Sequence, residues 1–516
     1  MATLLPPKSK RIKLAEQKKT AEQAEFDLIP TELPDILIQF RASDTGEDSN
    51  APIKVSGAIT AKQLEELLNN LLGTTDDPLP YTFSVAKDST QNLSNVIDVP
   101  DDIYTSVLKP GYKTTEDILT VIYTPQAIFR VRPVSRCSSS IAGHEQAILA
   151  VCFSPRDSKR MVTGGGDNTA RIWDCETETP VKTLKGHSGW VLCVSYSPCG
   201  RYIATGSYDK TVRLWDAKSG DAIGDAMKGH SAFVTGLAWE PYHLRDGEES
   251  LRFVSSSKDC TVRVWDGRLR RVEMAMSGHG ASVTCVRWGG NGFIYSGSQD
   301  KLIKVWDGKD GKLLHTLKSH SHWVNHIALS TDHVLRTGFY DHTGKSPETY
   351  EEKKALAKQR YEKAATIGGQ IIERLVSASD DFTMYLWEPS KDTKPVKRLL
   401  GHQKLVNHVT FSPDGRLIAS ASFDNHVKLW DARTGEFLAS LRGHVGAVYQ
   451  CAFSPDSRLL VSSSRDTTLK VWDARKRKLA VDLPGHKDEV FAVDWSPDGM
   501  RVGSGGKDKA VRLWKH

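Results

Sequence analysis

Histidine and aspartate recur in this chain at spacings that invite a chemical reading. His144, His187, His230, His279, His402, His444 and His486 each follow a glycine, and His320 follows Ser319. Downstream of each, an aspartate stands six residues before a tryptophan, from Asp167 and Trp173 to Asp508 and Trp514. Histidine, aspartate and a hydroxyl are the set that general-base and nucleophilic catalysis use. Eightfold repetition points elsewhere, to a buried hydrogen-bond network in which His, a strand hydroxyl, a turn Asp and a strand Trp tie strands together. The sequence has no G-x-x-x-x-G-K-[ST], no G-x-S-x-G and no H-E-x-x-H. Gly164-Gly165-Gly166 and Gly505-Gly506 sit in turns before the repeat aspartates rather than in a phosphate cradle. No enzyme, and no cofactor of its own, is expected.

The elements that position these residues follow from the spacing. A period of about 42 residues with Gly-His and Trp-Asp marks is the WD40 signature. A stretch such as GRLIASASFDNHVKLWD reads as two alternating strands around a tight turn holding Asp424. Four such strands form a blade that cannot bury both faces alone, so blades stack around a channel. Eight repeats predict eight blades over residues 127–516, a mainly β fold. The chain stops at Trp514-Lys515-His516, one strand short, and Ala127–Val134 (AIFRVRPV) is expected to supply that strand. Two spacings are irregular. An extra loop is expected near Tyr242–Ser250, and an insertion over about 336–370. The insertion's centre, SPETYEEKKALAKQRYEKAA, predicts a charged helix projecting from blade five, with Ser346 as N-cap and Pro347 at the first position. It reads as a partner-docking element or a solvated decoration.

Two segments precede the repeats. Residues 1–29 lack an apolar period and read as a disordered basic tail, in which Lys8, Lys10, Arg11 and Lys13 form a cluster suited to nuclear import or RNA contact. Residues 30–126 read as a small α+β domain. Asp35–Arg41 and Ile53–Val55 suggest a hairpin, and Thr60 caps a helix whose Leu64, Leu67, Leu68 and Leu71 share a face. Tyr81–Val85 and Asp117–Tyr123 suggest further strands, an order that suits a ubiquitin-like roll. This domain carries 6 Lys/Arg against 15 Asp/Glu, whereas 127–516 carries 57 against 44. An acidic module joined to a basic one implies two kinds of partner. No run approaches the ~20 apolar residues of a membrane span. The start of the chain has no signal-peptide run, and the eight cysteines form no C-x-x-C pair, which predicts reduced thiols in an intracellular protein.

An acidic ubiquitin-like domain before eight WD40 repeats, with ERLVSASDDFTMYLWEP at 373–389, resembles the Notchless family of ribosome assembly factors. The resemblance implies a nuclear and nucleolar role, non-enzymatic, on the precursor of the large (60S) ribosomal subunit. It implies that the propeller docks on the particle while the AAA ATPase midasin grips the N-terminal domain through its metal-ion-dependent adhesion site. ATP hydrolysis would then remodel the particle and release assembly factors. Such a site holds Mg²⁺, a hard cation that takes oxygen ligands at about 2.1 Å, and leaves one position for a carboxylate in trans. In Lys113-Thr114-Thr115-Glu116-Asp117-Ile118-Leu119 the residue matching the family's ligand is Glu116, with Asp117 as its rival. The metal belongs to the partner. The other implied partners are pre-60S proteins, assembly factors and rRNA, with the chain monomeric within the particle and no membrane involved.

A propeller under load needs a second grip. Residues three past each repeat His enter the innermost strand near the Gly-His loops, and Trp190, Phe233 and Trp323 are the aromatics among them. Tyr208, Lys258, Phe423, Arg465 and Lys507 precede the turn aspartates on the same rim. They are candidate particle contacts or packing between blades. The alternative reading is a generic WD40 adaptor, such as a ubiquitin-ligase substrate receptor or a signalling scaffold.

Overall fold

In the computed structural model, the structure describes residues 34–42, 51–73, 81–86, 96–99, 102–114, 116–125, 131–341, 346–367 and 370–516. The basic cluster at Lys8, Lys10, Arg11 and Lys13 lies outside them. The chain forms two compact units, 1–128 and 129–516.

Among its described residues the first unit is a five-stranded mixed sheet with one α-helix and a short π-helical turn, Tyr104–Leu108. β1 (Asp35–Ala42) pairs antiparallel with β2 (Ile53–Ser56) and parallel with β5 (Ile118–Pro125). β3 (Tyr81–Ala86) joins β5, and β4 (Val96–Val99) takes the far edge, giving the order β2-β1-β5-β3-β4. Alternation in β1 sends Ile36, Ile38 and Phe40 into one core with Leu119 and Val121 of β5. Helix α1 (Ala61–Leu72) covers that face. Its start is fixed by a reciprocal box in which the Gln63 amide N–H donates to Thr60 Oγ1 and the Thr60 amide N–H to Gln63 Oε1. Leu64 and Leu68 are buried and Leu67 half-buried. Leu71, expected in the same stripe, is exposed in the last turn before the left-handed Gly73.

The second unit contains eight four-stranded antiparallel sheets. In chain order the blades span 148–184, 191–228, 234–277, 283–318, 324–399, 406–441, 448–484 and 490–515. The eighth takes its outer strand from Arg136–Ala142, which pairs with Ala510–Lys515 and closes the ring. This corrects the expectation for Ala127–Val134. Among its described residues, 131–134 form no strand. Val131 and Val134, three residues apart with Arg132 and Pro133 exposed between them, are buried against blades seven and eight, and the Val131 amide donates to Asp456 at 2.9 Å.

Each blade begins with an inner strand, and its order places the Gly-His and Asp turns at one end of the channel. The turns that follow the inner strands lie at the other. The blade-five insertion is one of these, running from the end of 324–329 to the start of 375–379. It carries a short helix α2 (Asp332–Thr337) and a longer α3 (Tyr350–Ala365). The N-cap of α3 is Thr349, whose hydroxyl accepts from the Glu352 amide, and not Ser346. Thr349 offers that hydroxyl directly ahead of Glu351 and Glu352, which suit the first turn.

The helix does not project. Ala357, Tyr361 and Ala365, four residues apart, form a buried stripe that lays α3 down against the propeller. It meets the short turn at Tyr242–Leu244, which is the extra loop of blade three. Tyr350 Oη and Lys354 Nζ donate to the Arg245 carbonyl at 2.9 and 2.7 Å, and the Tyr361 ring stacks on His243. The two irregular segments of the sequence therefore pack on each other.

Candidate functional site

The eightfold network is built as its residue types require. In blade one His144 Nε2 meets Thr163 Oγ1 at 2.7 Å, its Nδ1 meets Asp167 at 2.9 Å, and Trp173 Nε1 donates to the same Thr163 oxygen. Blade five repeats it with His320, Ser377, Asp381 and Trp387, and blade eight with His486, Ser504, Asp508 and Trp514. Burial pushes the Asp259 carboxyl up, yet hydrogen bonds from Thr261, the Ser231 amide and His230 outweigh it and hold it at about 2. Every partner is engaged within its own blade, so these residues fold the protein.

Around that network the Gly-His end carries the expected aromatics and cations, in separate groups. Trp190 and Tyr208 of blade two are 52% and 54% exposed, with ring centres 6.0 Å apart. Tyr208 stacks on Phe233 of blade three at 5.1 Å, and Lys258 Nζ lies 5.2 Å from the Phe233 ring. Trp323 is exposed but stands beside its neighbour His322. In blades six to eight Phe423 packs on Tyr449, Arg465 pairs with Glu489 at 3.3 Å, and Lys507 with Asp488 at 3.5 Å. The structure thus joins four of the eight candidates into one row and disperses the others.

The opposite end is closed, which the sequence reading missed. Helix α2 lies in the channel mouth. Asp332 faces Arg287 of blade four at 3.5 Å, and Arg336 binds both oxygens of Asp494 in blade eight. Asp494 also accepts from the Phe153 amide of blade one at 2.8 Å. Blades four and eight are opposite members of an eightfold ring, so one helical turn spans the channel with both charges paired. Asp332 and Arg336 also sit at the ends that suit the helix dipole. A cavity of about 340 Å³ remains, lined in part by His326, His333 and His408. Burial pushes His333 and His408 each down to about 3, so both are neutral. The signal of Arg287 and Asp494 in the sequence was a charged residue at the fifth position of two otherwise uncharged inner strands, VTCVRW and VFAVDW.

The blade-five insertion, a strap across the mouth, also packs on Gly289 and Gly290, where blade four reads WGGNG. A Cβ at Gly290 would stand 2.1 Å from the Tyr361 ring, and one at Gly289 would stand 2.2 Å from Glu373. Glu373, buried, accepts from the Gly290 amide and from Thr331 Oγ1, which brings both feet of the insertion to the same loop. Burial pushes its carboxyl up to about 7.

In the first unit, Glu116 and Asp117 occupy the turn that leads into β5. Asp117 Oδ2 accepts from the Thr114 amide at 2.9 Å and from Thr114 Oγ1 at 2.8 Å, which holds its carboxyl below the usual range. Glu116 is exposed and makes no hydrogen bond or ion pair among the described residues. The rivals therefore differ, since one folds the turn and the other is presented by it. Among the described residues no cluster of three or more His, Cys, Asp or Glu could hold a metal, and all eight cysteines are free. Among the described residues no helix is long and apolar enough to cross a membrane.

A WD40-repeat propeller behind a small α+β domain is the class of protein that this architecture defines. Family models agree. The WD domain, G-beta repeat matches seven times between 135 and 515, and the NLE (NUC135) domain matches 36–98. The unmatched repeat is blade five, split by the strap. The chain is 58% identical over 444 residues to Ribosome assembly protein 4 of Saccharomyces cerevisiae, covering 85% of each. It is 52% identical to the Notchless protein homolog of Arabidopsis thaliana, covering 74% of this chain and 76% of that one. A solved structure of the computationally designed Ika8 protein aligns with a TM-score of 0.57 at 26% identity, over 74% of this chain and all of that one. The chain belongs to the Notchless family of WD40 ribosome assembly proteins.

Proposed function

We propose that the chain is a non-enzymatic assembly factor of the large ribosomal subunit, acting in the nucleus and nucleolus as an adaptor between precursor particle and remodelling ATPase. The name Ribosome assembly protein 4, carried by two of its relatives, supports a role in ribosome assembly. In this reading the propeller docks on the particle, and the N-terminal domain offers Glu116 to the Mg²⁺ held in the adhesion site of midasin. The observation that carries it is the difference within one turn: Asp117 is engaged by Thr114, while the Glu116 carboxylate is exposed and has no described partner. A hard cation with one open position takes such an oxygen ligand readily. Pulling on that contact would transmit load through the chain to whatever the propeller grips.

The test is binding of the full chain to the midasin adhesion-site domain, with Mg²⁺ and with chelator. Binding that needs the metal and is lost in Glu116→Ala supports the mechanism. Asp117→Ala should bind more weakly than wild type and still depend on the metal. Binding that survives both chelator and Glu116→Ala overturns the metal link, and a generic adaptor role then leads.

A further inference from the structure

We propose that the Gly-His end of blades two and three is a landing site for single-stranded RNA. The inference rests on the ribosome-assembly reading for the source of that RNA, and on the surface itself for its chemistry. Trp190, Tyr208 and Phe233 form a continuous row of rings across two blades, closed at one end by the Lys258 ammonium. Within each blade the backbones that carry these side chains are tied together. The Tyr208 amide donates to the Trp190 carbonyl at 2.8 Å, and the Lys258 amide to the Phe233 carbonyl at 3.0 Å. Rings held in place lose little freedom when a base stacks on them.

The exposed charge around the row is of one sign. Lys185, Lys210 and Lys258 are exposed and enter no ion pair among the described residues. The acids at this end of the two blades are the repeat aspartates Asp209 and Asp259, each bound to its histidine at 2.8 Å. Elsewhere on the same face Arg465 pairs with Glu489 and Lys507 with Asp488, whereas Lys301, Lys404, Lys487 and Lys509 enter no ion pair among the described residues, so the row of rings rather than free charge alone singles out blades two and three. Exposed rings flanked by unpaired lysines match a strand with splayed bases and a phosphate backbone. A-form duplex keeps its bases stacked and offers the rings nothing to hold.

The test measures anisotropy of a fluorescein-labelled 20-nucleotide RNA of mixed sequence, and of the matching RNA duplex. The full chain carries Lys8, Lys10, Arg11 and Lys13 replaced by glutamine, so that the basic cluster adds no affinity. The single strand should bind well ahead of the duplex. Trp190→Ala with Tyr208→Ala should weaken it roughly tenfold or more. Lys185→Gln with Lys210→Gln should weaken it and flatten its salt dependence. Phe423→Ala in the other half of the face should leave it unchanged. Equal binding of duplex, an unaffected ring variant, or no RNA binding at all overturns the proposal, the last leaving the row to a peptide partner. Co-sedimentation of the same proteins with precursor particles reports separately on the assembly reading. If wild type binds RNA through the row yet ignores the particles, that reading fails and this surface stands.

Discussion

The two ends of the propeller channel are made by the same eight inner strands, yet one is open and patterned while the other is shut. At the Gly-His end the repeat network satisfies its own polar groups within each blade, so the side chains above it contribute little to the fold. At the far end the blade-five strap crosses the mouth, pairs charges with opposite blades, and packs on the extra loop of blade three. Repetition builds the ring, and departures from repetition decide what each end can do. An open end with exposed rings suits a partner. A plugged end that links blades four, five, eight and one suits resistance to distortion.

Breaking the plug should produce the largest effect. Asp494→Ala strips Arg336 of its partner and frees the Phe153 amide at the seam where the ring closes. Loss of one member of a sequestered pair costs about 3–5 kcal/mol when fully buried. Arg336 retains some contact with the cavity, so about 2–4 kcal/mol is expected in urea unfolding. Arg336→Ala should cost less, because Asp494 keeps the Phe153 and Trp495 amides as donors. Equal costs for the two would mean that the helix, rather than the seam, carries the stabilisation.

Gly290→Ala should follow. The added methyl meets the Tyr361 ring, so α3 must lift or the blade-four loop must shift, at about 1–3 kcal/mol. Urea unfolding of the variant would read it, and a change below a few tenths would mean that the strap is looser than its packing implies.

Next in size is a pH effect confined to the closed end. Glu373 is raised to about 7 by burial, with Asp332 adding to the rise and the hydrogen bonds from Thr331 and the Gly290 amide opposing it. Tyr295 and Tyr361 face it as well. A carboxyl raised on folding stabilises the protein fully below its unfolded pKa, and that contribution is lost as pH rises through about 7. His333 and His408, lowered to about 3, act in the opposite sense below pH 6.5, so wild type alone is uninformative. The difference between Glu373→Gln and wild type isolates the group. The variant should match wild type near pH 5 and exceed it by about 1–2 kcal/mol at pH 8. A flat difference across that range would put Glu373 in contact with solvent.

Legibility in the sequence divided along the same line. The blades, their count and the His–Asp–Trp network could be read because each feature recurs eight times against a fixed spacing. The closing strand was misplaced at 127–134 because Val131 and Val134 are apolar for inter-blade burial, outside any strand. That every outer strand ends just before a Gly-His pair, or before Ser319-His320 in blade four, would have placed it at Arg136–Ala142. The strap was legible as a helix and illegible as a plug. Its partners Arg287, Asp494 and Gly290 lie in two other repeats, and nothing local links them. Glu116 was singled out by resemblance alone, and only the turn geometry distinguishes its free carboxylate from that of Asp117.

The smallest expected effect tests the open end. Trp190→Ala with Tyr208→Ala removes two large rings, and in a core that would cost about 3–5 kcal/mol apiece, roughly what Trp387→Ala should do in blade five. Trp387 is fully buried and donates to Ser377, whereas Trp190 and Tyr208 are about half exposed and lean on each other. Their double replacement should change unfolding free energy by no more than about 0.5 kcal/mol. A loss above about 1 kcal/mol would assign the rings to packing between blades two and three. The Gly-His end would then serve the fold no less than the plugged one does, and the contrast between the two mouths of the channel would lose its meaning. A near-zero cost leaves two large aromatic side chains held in place by the backbone for something other than stability.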